Sequence, residues 1–150
     1  MRVLGLDIGD RRIGVALSDA VGLTAQRLTV LEREATTADV QAVVSLVAQH
    51  QVTAVVAGLP LTLQGASGPQ AKKVLSFVGA LRRALTAVPV HLLDERLTTV
   101  QSERVLRATR TSRSRRAQLV DQVAAQLILQ DFLDRRRRGS SVASSEDRTP

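Results

Sequence analysis

"LGLDIGDRRIGVALSD", residues 4–19, reads as two short strands joined by a tight turn. Residues 2–8 have the β-branched, apolar character of a buried strand, residues 9–12 turn the chain, and residues 13–18 return as a second strand. One acid interrupts this pattern. Asp7 stands between Leu6 and Ile8, where a carboxylate loses hydration unless something compensates it. Two explanations compete: Asp7 caps the turn, or it helps to hold a cation.

Residues 23–31 make a third strand that alternates less cleanly, and the short connections predict an antiparallel meander. Thr36 or Thr37 is placed to cap a helix reaching about His50, with Val40, Val43, Val44 and Val47 on one face. Residues 53–57 form a short apolar strand, followed by the Gly-rich "GLPLTLQGASG" of residues 58–68. Pro69 opens a second helix to about residue 86, and residues 88–93 form a fifth strand. A helix over 98–108, a polar stretch over 109–114 and a long helix over 115–135 follow. Val120, Val123, Ala124, Leu127 and Ile128 stripe that last helix. The prediction is an α/β domain over 1–135. Its mixed five-stranded sheet has three antiparallel strands, then two parallel ones, with helices on both faces. Residues 136–150, basic and then Ser-rich, are expected to be a disordered tail.

Composition narrows the function. The chain has 150 residues, 44% of them hydrophobic, which suits one folded domain. No apolar stretch approaches the ~20 residues of a membrane span, and the N-terminus shows no signal-peptide pattern. With no cysteine, disulfides and thiolate metal sites are excluded, and a cytoplasmic location is expected. Net charge is +7, and the positive residues are almost all Arg. Arg96, Arg104, Arg107, Arg110, Arg113, Arg115 and Arg116 face a single acid, Glu103, between positions 96 and 116. Such a block points to a polyanion, the alternative being a solvated helix face. Phe77 and Phe132 are the only aromatic rings of the Phe, Tyr and Trp type, too few for a base-stacking platform, so contact is expected through the phosphate backbone.

In a sheet of this kind ligands gather beyond the carboxyl ends of parallel strands. Asp7 lies at that end of the first strand, Gly58 at that end of the fourth, and Asp94 with Glu95 at that end of the fifth. Asp121 borders the apolar stripe of the last helix, a position where a lone Asp is usually a surface residue. Three carboxylates delivered to one edge change that reading. Oxygen ligands suit Mg²⁺ or Mn²⁺, and a pair of such ions can clamp an in-line phosphoryl displacement. Asp94 is expected to point away from Glu95, because adjacent strand residues diverge. His50, at a helix C-terminus, and His91, inside a strand, are expected to be structural. With no second histidine near either, zinc is not expected.

"LGLDIGDRRIGVALSD", "VVAGLPLTLQGASG", "LLDERLTTVQSE" and "VDQVAAQLILQDFLD" together resemble the signature blocks of the YqgF/RuvX family, over roughly residues 1–135. That family is a bacterial branch of the RNase H-like superfamily, related to RuvC-type Holliday junction resolvases. The resemblance implies an RNase H-like fold and a metal-dependent nuclease, a hydrolase of phosphodiester bonds, maturing the 5′ end of pre-16S rRNA in ribosome biogenesis. It assigns catalysis and metal binding to Asp7, Glu95 and Asp121; Asp10, from the chain's own sequence, is a further candidate metal ligand. Gly58, Pro60 and Gly65 fall in the loop near the site. Arg11, Arg12, Arg96, Arg110, Arg113, Arg115 and Arg116 are the candidate nucleic-acid contacts. Two departures stand out. Asp10 occupies a position where the family commonly has Thr or Ser, and Ala124 stands where RuvC-type resolvases carry a second helix acid.

Structured RNA and branched DNA remain alternative substrates, since the same metal chemistry cuts both and phosphate contacts carry no sequence information. A junction resolvase would be a symmetric dimer, so monomer and homodimer both stay open. A nucleic-acid binding module without catalysis is the reading from another class. The opening Asp-x-Gly turn also resembles the first phosphate loop of actin-like ATPases, but no second block of that kind occurs in the chain.

Overall fold

A computed structural model describes residues 1–61, 65, 67–95 and 113–139, with side chains in the last segment described from residue 123 onward. Five strands, β1 (Arg2–Ile8), β2 (Arg12–Ser18), β3 (Ala25–Glu32), β4 (Val52–Leu59) and β5 (Val90–Asp94), form one sheet in the order β3-β2-β1-β4-β5. β1 is central. It pairs antiparallel with β2 and parallel with β4, and β5 adds parallel to β4. Three helices are described: α1 (Thr36–Gln49), α2 (Pro69–Ala84) and α3 (Arg113–Arg138). The helix expected over 98–108 and the polar stretch over 109–112 lie outside the described residues, as does the tail beyond 139.

Strand alternation assigns each face. Leu4, Leu6 and Ile8 of β1, with Val55 and Ala57 of β4, pack against Val40, Val43 and Val47 of α1 and Val74, Phe77 and Leu81 of α2. On the other face Val3, Ala54, Val56 and Leu93 meet Ala124, Ala125, Ile128, Leu129 and Leu133 of α3. Each fully buried Leu, Ile or Phe contributes about 1.5–3 kcal/mol relative to exposure. Gly5 lets α3 reach the sheet: a methyl group there would stand 2.7 Å from Leu129 Cβ and 3.1 Å from the Ala125 carbonyl oxygen. Any side chain at position 5 would push the helix outward.

Several boundaries differ from expectation for local reasons. β3 begins at Ala25 because Asp19 closes the preceding turn, its Oδ1 accepting from the Leu23 and Thr24 amides at 2.7 and 3.3 Å. α1 is not capped by Thr36 or Thr37. Ala35 holds the N-cap position without a side-chain bond, and Asp39 inside the first turn accepts from the Glu34 amide at 3.0 Å. β4 runs on through Gly58 and Leu59, so Gly58 is strand rather than loop. α3 continues to Arg138, three residues past the expected end. The Arg136 guanidinium sits 5.3 Å from the Phe132 ring centre and Arg137 pairs with Asp134. Cations also suit the last turn of a helix.

The turn between β1 and β2 is held from both sides. Arg33 Nη1 donates to the Gly9 carbonyl at 2.8 Å, while its Nε donates to Asp39 Oδ2 at 2.7 Å. Gln70 of α2 donates to the Ile8 carbonyl at 3.2 Å. Asp39 is 4% exposed, so this ion pair is largely withdrawn from water.

Candidate active site

Asp7 sits in a row of β1 with Val3 and Gly5, and that row faces α3. The β1–β4 register pairs Leu6 with Ala57. Continuing that register by one residue sets Asp7 beside Gly58, about 4.8 Å away across the strands. Gly58 is in turn paired with Leu93, two residues before Glu95. A methyl at position 58 would stand 3.1 Å from Glu95 Oε2 and 2.6 Å from Ile128 Cδ1. Glu95 therefore lies over the end of β4, on the same face as Asp7 and against α3. Both acids are buried, at 5% and 2% exposure. Two carboxylates withdrawn from water at one sheet edge favour a positively charged companion.

α3 brings a third element to this edge. Phe132 meets His91 early in β5, with ring centres 5.2 Å apart, whereas Ile128 lies over Gly58 near the end of β4. The helix thus runs opposite to the parallel strands, and its earlier turns reach toward their carboxyl ends. Asp121 precedes Ala125 by one turn, about 6 Å along the axis. Gly5, against the Ala125 carbonyl, precedes Asp7 by two residues, about 6.6 Å of strand. The α3 backbone at Asp121 is therefore level with Asp7, while the Asp121 side chain lies outside the described residues. Among the described residues no three His, Cys, Asp or Glu side chains gather into a metal-binding group.

The other sequence candidates divide. Asp94 belongs to the opposite face from Glu95, as the alternation required, since Val90 and Leu92 pack on the α1–α2 side. His91 is buried against Phe132, the packing role expected of it. Asp10 is exposed and paired with Lys73 Nζ at 3.0 Å. Arg11 is exposed on the turn, and Arg12 pairs with Glu32 at 3.3 Å. Pro60 is half-buried after β4, and Gly65 is exposed with φ +84°, a conformation that favours glycine. Arg96 and Arg110 lie outside the described residues. Arg113, Arg115 and Arg116 open α3, and their side chains are likewise outside.

Sequence reasoning missed the contribution of Gly58 as the space beside Glu95, and it missed the Arg33 strap on Gly9. An isolated Gly inside a strand pattern is a signal of close approach; it was present at Gly5 and at Gly58. The strap had no local signal, because Arg33 and Gly9 are 24 residues apart.

The family described as RuvX, Holliday junction resolvase, matches residues 1–135. A protein of Desulforudis audaxviator named "Putative pre-16S rRNA nuclease" is 50% identical over 142 residues, covering 95% of this chain and all of that protein. One of the same name from Moorella thermoacetica is 50% identical over 135 residues, covering 90% and 96%. In three dimensions the chain is similar to Thermus thermophilus RuvC in complex with a Holliday junction substrate, at a TM-score of 0.60 and 18% identity, covering 93% and 97%. The fowlpox virus Holliday junction resolvase gives a TM-score of 0.53 at 12% identity, covering 89% and 99%. The fold is thus the RNase H-like one that the four sequence blocks implied.

Proposed function

This chain belongs to the RuvX family, and from that premise we propose that it is a divalent-metal-dependent nuclease acting at the 5′ end of precursor 16S rRNA. The observation that carries the chemistry is the burial of Asp7 and Glu95 on one face of one sheet edge. The close approach of the Glu95 carboxylate to Gly58, at the end of β4 beside Asp7, supports it. Asp7 and Glu95 would hold Mg²⁺ or Mn²⁺, with Asp121 as the third carboxylate from α3. Hard oxygen donors of this kind fit those ions. A bound divalent cation supplies Lewis-acid stabilisation of charge developing on the phosphate.

The chain's own residues do the rest. Gly58 keeps the Glu95 carboxylate at the edge. The Gly9 carbonyl and the Ile8 carbonyl, held by Arg33 and Gln70, fix the turn that follows Asp7. Arg11, on the same turn, and the arginines between 96 and 116 would neutralise substrate phosphates, which governs affinity and its salt dependence. Substrate choice follows the relatives that match nearly end to end, whose name specifies pre-16S rRNA.

A four-way DNA junction is the second reading, favoured by the family's own description. The deciding experiment offers precursor 16S rRNA, single strands and a four-way junction side by side with Mn²⁺. Cleavage of the rRNA precursor that vanishes in Asp7→Asn, with the fold retained, is the expected result. Junction cleavage alone would transfer the assignment to DNA, and undiminished cleavage by Asp7→Asn would refute the site.

A further inference from the structure

A second recess opens on the other layer of the molecule. A cavity of about 560 Å³ is lined by Asp10 of the β1–β2 turn, Arg33, Thr36 at the start of α1, and Lys73, Ser76 and Phe77 of α2. Small-molecule sites occupy this size range. The cavity lies on the α1–α2 side of the sheet, whereas Asp7 and Glu95 face α3. Along the chain, Ile8 and Gly9 lie between Asp7 and Asp10 at the carboxyl end of β1.

The lining has one chemical theme. Thr36 and Ser76 offer hydroxyls and Lys73 offers an exposed ammonium, while the Asp39 carboxylate in the first turn of α1 is already engaged by Arg33 and the Glu34 amide. Arg33 is fixed by Asp39 and Gly9, and its guanidinium lies 5.2 Å from the Phe77 ring centre. The Arg33 side chain keeps about a fifth of its surface exposed, and a guanidinium so held can take a nucleobase against it. Phe77 itself is only 2% exposed, so the recess presents little apolar surface to a greasy ligand. Lys73 and Asp10 are both about 60% exposed where they pair. Such exposed pairs are weak, and a phosphate dianion with a charge-assisted bond can displace the Asp10 carboxylate.

We propose that this cavity binds one nucleotide unit, its phosphate on Lys73, Thr36 and Ser76 and its base against Arg33. The unit is either a free mononucleotide or one link of a nucleic-acid chain crossing the Gly9 turn. The proposal is independent of cleavage at the acidic edge, because binding here requires no metal.

The full chain, labelled with ¹⁵N and kept in EDTA, is titrated with adenosine 5′-monophosphate and separately with a short oligoadenylate. Amide signals of Thr36, Lys73, Ser76 and Phe77 are expected to move with the mononucleotide. Lys73→Gln is expected to weaken binding about tenfold, the worth of one charge-assisted hydrogen bond. Asp10→Ser is expected to tighten it, by removing the competing carboxylate. Ser76→Trp, which fills the recess, is expected to abolish it. Tighter binding of the oligonucleotide through the same signals assigns the unit to a chain, and equal affinity assigns it to a free nucleotide. Unmoved signals with both ligands, or affinity unchanged in both Lys73→Gln and Asp10→Ser, would overturn the proposal.

Discussion

Gly58 and Glu95 share one small volume, for a methyl at 58 would stand 3.1 Å from Glu95 Oε2. The same methyl would lie 2.6 Å from Ile128 Cδ1, so α3 and the acid both depend on the absence of a side chain there. Gly58→Ala is predicted to destabilise the fold by about 1–3 kcal/mol through overpacking. It should also lower cleavage by about a hundredfold, as a displacement near 1 Å of an acting group can. Adding Ile128→Val removes the Cδ1 atom and should restore stability, measured by urea unfolding, while cleavage stays low. Recovery of both together would mean that Gly58 serves packing alone.

The Arg33–Asp39 pair is predicted to be worth far more than its surface counterparts. Asp39 is 4% exposed, and the Arg33 side chain 21%. Asp39→Asn should cost about 2–4 kcal/mol, since it leaves a mostly buried guanidinium without its counter-charge. Arg12→Gln, which opens the Arg12–Glu32 pair with Glu32 71% exposed, should cost less than about 1 kcal/mol. Equilibrium unfolding of both variants checks the contrast. Equal losses would show that Asp39 is better solvated than its burial indicates.

Which features were legible in the sequence follows from the range of the interactions behind them. β1 and β2 were readable because alternation and the Gly9 turn are local, and the central place of β1 follows from the crossovers. An acid inside an apolar strand marked Asp7, and a place at the carboxyl end of the fifth strand marked Glu95. What escaped depends on distant partners: Arg33 reaches Gly9, Gln70 reaches Ile8, and Lys73 meets Asp10 across 63 residues. The cap of α1 falls on Ala35 rather than Thr36 or Thr37, because Asp39 is committed to Arg33 and the Glu34 amide and does the work expected of a cap. Asp10 carries no local sign of its pairing with Lys73.

Gln51 follows α1 with φ +53°, a left-handed conformation in a residue that carries a Cβ. That conformation costs about 1 kcal/mol or more for an L side chain. Gln51→Gly should therefore stabilise the chain by about 0.5 kcal/mol after the added entropy loss of glycine. Gln51→Val should do the opposite, because a β-branched residue tolerates this region least. Thermal melting of the two variants should bracket the parent, and a lower midpoint for Gln51→Gly would contradict the strain.

Asp19 supplies the acid dependence. The Leu23 amide, donating to Oδ1 at 2.7 Å, holds the Asp19 carboxyl below the usual carboxylate range, with the Thr24 and Gly22 amides adding to the effect. A carboxyl whose folded pKa is depressed binds its proton more readily in the unfolded chain. Its stabilisation is thus complete above the unfolded value, about 3.9, and is lost as pH falls through the lower folded value. Asp19→Ala should be less stable than the parent at neutral pH, and the difference should shrink as the medium is acidified below that range. Urea unfolding across an acid pH series measures the gap directly. A gap that stayed constant down to the folded pKa would mean that the ionised carboxylate contributes nothing to closing the turn between β2 and β3.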